Sequence, residues 1–257
     1  MMHTAEQFKK DLIALGLRPG DSVMIHCSYK SLGGIEGGAK ALFAALDELL
    51  GKEGTLILPA LSYDYVNEKN PVFDLQQTPS CVGYLPEYFR KEVDGVIRSM
   101  HATHSCCLKG KRAKELAEGH ALDQTPVGIH SPISKLPLID GKILILGSHP
   151  DHNTALHGVE EKGNAPYIFN PDKRITYILK DDTIEIKQQA LRHDFKKADC
   201  YYDQKYARIL DILSPEDYSF GKVLDADCYL MNAKAVWEKG VAKLKIDPYY
   251  FVDKIFY

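Results

Sequence analysis

The sequence predicts an α/β fold: a single compact domain (1–257) with a central, largely parallel buried sheet flanked by helices and a smaller loop-rich subdomain at about 60–135. Three observations support this prediction. Apolar runs at 22–28, 55–62 and 141–147 are typical of buried strands. A glycine-rich loop and a helical pattern separate the first two runs, which is the order of a parallel strand–helix–strand unit. The chain contains no repeat, low-complexity tract or disordered linker, so one domain is expected.

Helix-start signals and apolar spacing define the elements of the first half. Thr4 followed by Gln7 has the spacing of a capping box and predicts a helix at about 5–16. After the strand at 22–28, apolar residues at helical spacing predict a helix over 39–51. The next predicted elements are a short helix from about 83, one or two strands within 97–110 and a short helix that ends at Gly119.

The second half is predicted to mix strands and helices. A helix that contains His157 follows the strand at 141–147. Alternating side chains on both sides of Asp181-Asp182 predict a hairpin over 174–191. The last predicted elements are a helix at 201–213, a strand-like segment at 219–231 and a helix at 232–244.

Composition and charge exclude several classes of function. The formal net charge is -3 at pH 7, and the chain lacks the basic patch of a nucleic-acid-binding protein. No run of about 18 apolar residues predicts a membrane span, and the N-terminal segment lacks the plan of a signal peptide. The six cysteines form no C-x-x-C pair, so we interpret them as reduced thiols of a cytoplasmic protein. A small-molecule partner is therefore expected, with no nucleic acid and no membrane.

A glycine loop precedes the helix predicted at 39–51. Its members are Gly33, Gly34, Gly37 and Gly38. The free backbone N–H groups and the positive end of the helix dipole would suit a phosphate there. The loop lacks the G-K-[ST] ending of a Walker loop and the downstream acidic residue of a dinucleotide-binding fingerprint. Tight packing of the turn is the alternative explanation for the glycines.

Two histidine-bearing segments are further candidates. His26 and Ser28 share one face of the predicted strand near its carboxyl end, where parallel sheets bind ligands. A polar strand end exposed to water is the alternative. His101 and His104 have H-x-x-H spacing and could form a zinc site with other histidines. However, the chain has neither an H-E-x-x-H helix nor a Cys/His framework, so no metal is predicted.

The helix around His157 carries the pattern of a general base. Thr154, His157 and Glu160 share one side of this helix, and Glu161 is close to the same side. A carboxylate near an imidazole raises its basicity, and histidine is the commonest general base. A solvated helix face with a surface histidine is the alternative that the spacing leaves open.

The order and spacing of these segments resemble the aminoglycoside 3-N-acetyltransferase family, the antibiotic N-acetyltransferases that are distinct from the GNAT fold. The matching segments are "LRPGDSVMIHCSYKSLG", "GGAKALFAALDELLGKEGTLILPALS", "FDLQQTPSCVGYLPEYFR", "RSMHATHS", "TPVGIHSPISKL", "DGKILILG" and "NTALHGVEE". The resemblance implies transfer of acetyl from acetyl-CoA, as cosubstrate, to a primary amine of an amino sugar, typically the 3-amino group of a 2-deoxystreptamine ring.

The resemblance assigns roles to individual residues. Coenzyme contacts are implied for His26, Ser28, Leu32, Gly33, Gly34, Gly37, Gly38, Ser99, His101, Ser105, Ser131 and Pro132. Contacts with the acceptor are predicted for Tyr63, Asp64, Tyr65, Arg98 and His104. The predicted catalytic residues are His157, Glu160, Thr154, Asp203 and Asp199.

The implied mechanism is direct attack of the amine on the thioester in a ternary complex. His157 is the expected general base. The carboxylate that orients His157 is either Glu160 or, from downstream in the chain, Asp199 or Asp203. Thr154 would donate a hydrogen bond to the thioester oxygen or the leaving sulfur. An acyl-enzyme on a cysteine beside a histidine is the alternative route.

The acceptor is less well defined by the sequence. Enzymes that act on polycationic antibiotics attract them with acidic clefts, and this chain has no dense acidic run. A nucleotide-linked amino sugar, used in glycan biosynthesis, is therefore an alternative acceptor. Two other classes of function remain as alternatives: a metal-dependent hydrolase that uses the histidines, and a CoA- or carbohydrate-binding module without catalysis. A homodimer is compatible with the sequence, although no pattern marks an interface.

Overall fold

In a computed structural model, which describes residues 2–257, the chain forms seven α-helices and twelve β-strands. The helices are α1 (Ala5–Leu15), α2 (Gly38–Leu50), α3 (Tyr84–Glu92), α4 (Ala113–Ala117), α5 (Pro132–Lys135), α6 (Ala155–Lys162) and α7 (Ala233–Ile246). The strands are β1 (Ser22–Cys27), β2 (Thr55–Pro59), β3 (Val72–Asp74), β4 (Ile97–Arg98), β5 (Cys106–Gly110), β6 (Lys142–Leu146), β7 (Arg174–Lys180), β8 (Glu185–Leu191), β9 (Cys200–Gln204), β10 (Tyr218–Val223), β11 (Ala226–Asn232) and β12 (Val252–Phe256).

The central sheet has seven strands in the order β10-β11-β6-β1-β2-β5-β4. β1 pairs in parallel with β2 on one side and with β6 on the other. The outer pairs are antiparallel, and in the β10–β11 hairpin the connection is too short for a parallel crossover. The predicted α/β fold with a helix-flanked central sheet is thus confirmed, and its parallel part is the three-stranded centre.

Helices cover both faces of this sheet. Along β1, Val23 and Ile25 pack into one core with α1, α2 and α3. Met24 points to the opposite core, which α4, α5, α6 and α7 cover. All five residues of β2 are buried, as expected for a strand that is covered on both faces. Within residues 2–257, no helix has both the length and the apolar character needed to cross a bilayer.

The connection from β6 to α6 positions the helix that the sequence singled out. β6 ends at Leu146, and α6 begins at Ala155 after a short turn. β6 runs parallel to β1, so the start of α6 lies over the carboxyl ends of both strands. The predicted strand at 141–147 and the helix that contains His157 are both present.

The smaller lobe differs from the subdomain predicted at about 60–135. Its three-stranded sheet combines β3 with β7 and β8, and therefore includes the predicted hairpin at 174–191. β4 and β5, which also fall within 60–135, belong to the central sheet instead. The boundary is different because strand pairing joins segments that are distant in the chain.

The helix predicted at 201–213 is wrong. Cys200–Gln204 is instead a strand that pairs with β12 near the C-terminus, and only Tyr206–Asp211 is helical, as a 3-10 turn. The apolar spacing in this segment fits both structures. The strand prevails because a distant partner supplies its backbone hydrogen bonds, which local spacing cannot indicate.

Gly158 sits at the contact between α6 and α7. A Cβ atom there would lie 2.4 Å from Cζ2 of Trp237 and 2.9 Å from Cγ1 of Val127. We expect Gly158→Ala to lower the free energy of unfolding by about 1–3 kcal/mol, because the added methyl overpacks this contact. Urea titration would measure the change, with the exposed position Glu238→Ala as a control expected within about 0.5 kcal/mol of wild type. A fully stable Gly158→Ala protein would contradict the packing argument.

Candidate active site

Two neighbouring cavities open where β1, β6 and α6 meet. The first, here called the strand-end cavity, has a volume of about 370 Å³ and is lined by His26, Cys27, Pro86, Ser148, Thr154 and other residues. The second, here called the histidine cavity, has a volume of about 480 Å³ and is lined by Asp64, His104, Arg192, His193, Asp194, Phe195, Lys196 and others. Three side chains line both: Tyr63, His157 and Gln204. His157 therefore stands at the junction of the two cavities.

The imidazole of His157 is held by a buried network. Its Nδ1 lies 2.8 Å from the hydroxyl of Tyr206, and that hydroxyl donates to Oε2 of Glu160 at 2.7 Å. Because the hydroxyl hydrogen is directed to Glu160, the Tyr206 oxygen accepts the hydrogen on Nδ1 of His157. This arrangement assigns the tautomer that leaves the lone pair of Nε2 free.

Glu160 is fully buried and is the carboxylate nearest to His157. Its Oε2 lies 3.5 Å from Nδ1 of His157, and its Oε1 accepts a hydrogen bond from Tyr167 at 2.7 Å. Burial and the neighbouring carboxylate raise the pKa of Tyr206 and of Tyr167, so both phenols stay protonated as donors to Glu160. A proton taken up by the imidazole would thus be stabilised by a nearby negative charge.

The downstream carboxylates take no part in this network. Asp203 lines neither cavity and pairs with Lys205 at 2.5 Å, while its neighbour Gln204 lines both. Asp199 is exposed, and its backbone carbonyl accepts from the N–H of Tyr257. Alternation along β9 puts adjacent residues on opposite faces. Of the three carboxylates that the sequence left as partners of His157, the geometry selects Glu160.

His26 positions Thr154 at the carboxyl end of β1. Its Nε2 lies 2.7 Å from the hydroxyl of Thr154 and accepts the backbone N–H of the same residue at 3.0 Å. Burial lowers the pKa of His26 to about 3, so this ring is neutral and can accept. His26 thus holds Thr154 at the start of α6, a contact that the sequence did not predict, and its contact with the coenzyme stays a prediction.

Two further imidazoles surround His157. The ring centroids of His104 and His193 lie 5.6 and 4.6 Å from that of His157. Nε2 of His193 is 2.7 Å from Oε1 of Glu161, whose pKa burial raises to about 7. Burial, followed by the neighbouring imidazoles, lowers the pKa of His104 and of His193 well below the usual range.

Sequence reasoning missed His193 and Tyr206. His193 follows the β7–β8 hairpin, and Tyr206 lies in the segment that was predicted to be a helix. Neither belongs to a motif, so the only local signal was a polar residue just beyond a predicted strand. Glu161, in contrast, was recognised as a neighbour of the catalytic face but without its partner His193.

Several residues predicted to contact the coenzyme are completely buried and support the backbone. They are Leu32, Ser99, His101, Ser105, Ser131 and Pro132. For example, Nδ1 of His101 accepts the N–H groups of Thr103 and His104, and the hydroxyl of Ser131 caps α5 by accepting the N–H of Ile133. These side chains are buried, and their contact with the coenzyme stays a prediction.

The glycine loop adopts the backbone that only glycine readily supplies. Gly33, Gly34, Gly37 and Gly38 all have positive φ angles, between 66 and 94°. A Cβ on Gly33 would also collide with the carboxylate of Asp225. These facts explain the glycines by conformation and packing. The phosphate contact and the contact with Ser28, whose hydroxyl pairs with that of Ser31 at 2.7 Å, stay predictions.

The residues predicted to bind the acceptor separate into two groups. Tyr63, Asp64 and His104 line the histidine cavity. Tyr65 is exposed and lines neither cavity. Arg98 donates to the backbone carbonyls of residues 60, 75 and 78 and to the hydroxyl of Ser105, which uses four of the five N–H donors of its guanidinium. Arg98 lines neither cavity, and its contact with the acceptor stays a prediction.

The thiols near the site are poor nucleophiles. Burial raises the pKa of Cys27 and of Cys106 far above the usual range, and that of Cys107 to about 12. The thiolate is the reactive form of cysteine. The geometry therefore favours direct attack over an acyl-enzyme route.

Comparisons with known proteins agree with this architecture. Residues 24–245 match the family model described as aminoglycoside 3-N-acetyltransferase. An aminoglycoside N(3)-acetyltransferase III of Serratia marcescens is 34% identical over 206 residues, which cover 70% of this chain and 76% of that protein. The structure of AAC-IIIb in binary complex with CoASH superposes with a TM-score of 0.82 at 27% identity, covering 96% of this chain and 97% of that chain. A mutant of AAC(3)-IVa in complex with a gentamicin superposes with a TM-score of 0.80 at 25% identity, covering 98% and 92%.

Proposed function

Since the chain belongs to the aminoglycoside 3-N-acetyltransferase family and uses acetyl-CoA as cosubstrate, we propose that His157 is the base that prepares a primary amine of an amino sugar for acetylation. The observation that carries this proposal is the position of His157 at the junction of the two cavities. Two substrates that enter from the two sides would meet at this imidazole. Its free Nε2 can then accept a proton from the amine.

The two cavities differ in a way that suits the two substrates. The strand-end cavity has an apolar wall that suits the thin arm of the coenzyme. This wall is formed by Ile25, Pro59, Leu61, Val82 and Pro86. The histidine cavity carries two carboxylates that can bind ammonium groups, at Asp64 and Asp194, whereas the one carboxylate that lines the strand-end cavity, Asp151, accepts the backbone N–H of Ala207. We assign the coenzyme arm to the strand-end cavity and the amine to the histidine cavity.

The residues around the junction have separate tasks in the transfer. His157 removes a proton from the ammonium, because only the neutral amine can attack the thioester carbon. Glu160 and Tyr206 stabilise the imidazolium that forms. The hydroxyl of Thr154 donates to Nε2 of His26 and can turn its hydrogen to the developing oxyanion, while its backbone N–H keeps its bond to Nε2. The new C–N bond forms as the C–S bond breaks, the sulfur takes the proton held by the imidazolium of His157 and leaves as the thiol of CoA, and the amide nitrogen releases its remaining extra proton to solvent.

The charges of the histidine cavity favour a second candidate acceptor. Arg192 and Lys196 balance the two carboxylates, and Arg192 forms no ion pair within residues 2–257. A free guanidinium is well suited to bind a phosphate group. An amino sugar that carries phosphate, as in a nucleotide-linked sugar, would use this charge, whereas a polycationic aminoglycoside would use the carboxylates of Asp64 and Asp194.

The test of the function is release of free thiol from acetyl-CoA with a panel of amines. The panel contains gentamicin- and kanamycin-type aminoglycosides and nucleotide-linked amino sugars, each assayed with wild type, Arg192→Gln and the exposed control Lys187→Gln. Turnover of an aminoglycoside that survives in Arg192→Gln would support the family's named acceptor. Turnover of a nucleotide-linked sugar with a raised KM only in Arg192→Gln would support the second candidate. Absence of turnover with every amine would contradict the proposed acceptor class.

The hydroxyl of Tyr206 should position the base, while the ring of Tyr206, which also lines the strand-end cavity, is kept in a phenylalanine variant. Tyr206→Phe removes the hydroxyl that bridges His157 and Glu160, a hydrogen bond to a charged group worth about 1.5–3 kcal/mol. We expect kcat to fall roughly 10- to 100-fold, with the KM for acetyl-CoA nearly unchanged. The matched control is Tyr167→Phe, which removes a donor from Glu160 but does not contact His157. Equal losses of kcat in both variants would show that Glu160, and not the bridge to His157, accounts for the effect.

A further inference from the structure

Three imidazoles converge in the histidine cavity, those of His104, His157 and His193. The proposed transfer uses only that of His157. One ring nitrogen of each of His104, His157 and His193 lies within 4.8 Å of one ring nitrogen of each of the others. The ring centroids of His104 and His193 are 4.8 Å apart, so the three rings form a closed triangle. Three histidines that surround one point are the ligand set of an open zinc site.

In each of these rings, the protein holds one nitrogen and leaves the other without a partner. Nδ1 of His104 is 2.9 Å from the hydroxyl of Thr103, and Nδ1 of His157 is bound by Tyr206. His193 is held through Nε2 by Glu161, and its Nδ1 is buried with no hydrogen-bond partner in residues 2–257. Proteins orient a metal-binding histidine by a hydrogen bond to the ring nitrogen that does not bind the metal.

The charges next to the cluster also suit a metal. The carboxylates of Glu160 and Glu161 lie behind the rings and would offset the charge of a cation. Tetrahedral zinc ligands at about 2.0–2.1 Å from the ion stand roughly 3.4 Å apart. The nitrogens must therefore approach each other by about 1.4 Å, which rotations of the side chains can supply.

We propose that His104, His157 and His193 bind one Zn²⁺ ion, and that bound zinc inhibits the enzyme reversibly by occupying Nε2 of His157. The inhibition, although not the binding, rests on the proposed function, because it requires His157 to be the base. The fourth position of the ion faces the histidine cavity, where the amine is expected. Zinc should therefore compete with the amine and not with acetyl-CoA.

The binding experiment uses zinc alone with the full chain. Equilibrium dialysis against ZnCl₂ at pH 7.5, with metal analysis, is expected to give one zinc per chain in wild type. His104→Gln and His193→Gln should weaken binding at least about tenfold. The control His149→Gln replaces an exposed histidine outside both cavities and should bind like wild type. Equal binding in all four proteins, or none in wild type, would overturn the proposal.

A spectroscopic measurement on wild type covers the case in which a variant fails to fold. Co²⁺ substitution should give the intense visible bands of a tetrahedral ion with nitrogen ligands, and added Zn²⁺ should remove them. A weak octahedral spectrum, or a charge-transfer band from a thiolate, would place the metal elsewhere and overturn the proposal.

Kinetics separate this proposal from the proposed function. Zinc should inhibit wild type and His149→Gln, with relief by EDTA and by excess amine. If zinc binds through the triad but His157→Ala keeps wild-type turnover, the general-base assignment and the inhibition fail while the binding site stands. If His157→Ala is inactive and wild type binds no zinc, the zinc proposal fails while the general base stands.

Discussion

Replacing His157 by alanine is expected to lower kcat by about 10²–10⁴-fold, the usual contribution of a general base. The amine would then have to lose its proton to water in a site from which water is largely excluded. Coenzyme affinity should stay near that of wild type, because most of the strand-end cavity is formed by other side chains. Thiol release measures the first quantity, and calorimetric titration with CoA measures the second.

Two comparisons make this expectation specific. His149→Ala removes an exposed imidazole near the site and should keep wild-type turnover. Glu160→Gln keeps the size of the side chain but removes the charge behind His157, so it should lose turnover without losing CoA binding. If His157→Ala retained wild-type kcat, the assignment of the base would be wrong. If it lost CoA binding as well, His157 would be part of the coenzyme site.

Acidification below pH 6.5 should lower the free energy of unfolding through the buried histidines, before most carboxylates take up protons. Five histidines are buried and have a lowered pKa in the folded state: His26, His101, His104, His120 and His193. For His26 and His101 the pKa falls to about 3, mainly through burial. In the unfolded chain these rings take up protons near pH 6.5.

The sign of the effect follows from where the proton binds. Between pH 6.5 and about 3 the unfolded chain binds more protons than the folded chain, so stability decreases as the pH falls. The contribution of each neutral ring to the free energy of unfolding is fully present above pH 6.5. It is lost as the pH falls from 6.5 to the pKa of that ring in the folded chain. At pH 5, each of His26 and His101 should lower the free energy of unfolding by about 2 kcal/mol relative to neutral pH. Urea titrations between pH 4.5 and 7.5 would measure the slope.

His101→Asn tests this explanation. The Asn side chain can still accept the N–H groups of Thr103 and His104, which Nδ1 of His101 accepts in the wild type, but it cannot titrate. The slope of stability against pH should decrease by about 1.4 kcal/mol per pH unit below pH 6. His149→Asn, at an exposed position, should leave the slope unchanged. An unaltered slope in His101→Asn would mean that this ring is already protonated in the folded protein.

The sequence predicted the parts of the site that lie on a single element. Thr154, His157 and Glu160 lie on α6 or at its start, so helical spacing alone brings them to one side. The strand that carries His26 was equally visible as an apolar run. In these segments the local pattern and the final fold agree, which is why they could be placed without a structure.

The remaining parts depend on contacts that no local pattern encodes. Tyr206 reaches His157 only because β9 pairs with β12 and turns the chain back over α6. His193 follows the β7–β8 hairpin. The sheet that contains this hairpin has a third strand, β3, which comes from the first half of the chain. Family resemblance marked Ser99 and Ser105 as important, but it could not separate ligand contacts from buried supports.

The five consecutive residues 192–196 all line the histidine cavity. The proposed base and its partners, in contrast, lie on α6 and after β9. Selection on the acceptor can therefore act on one short stretch of the gene while the catalytic groups stay unchanged. His193, which contacts both Glu161 and the ring of His157, and Phe195, whose ring also packs on that of His157, couple the two. Exchange of this stretch between relatives should transfer acceptor preference as a unit, provided that the histidine is kept.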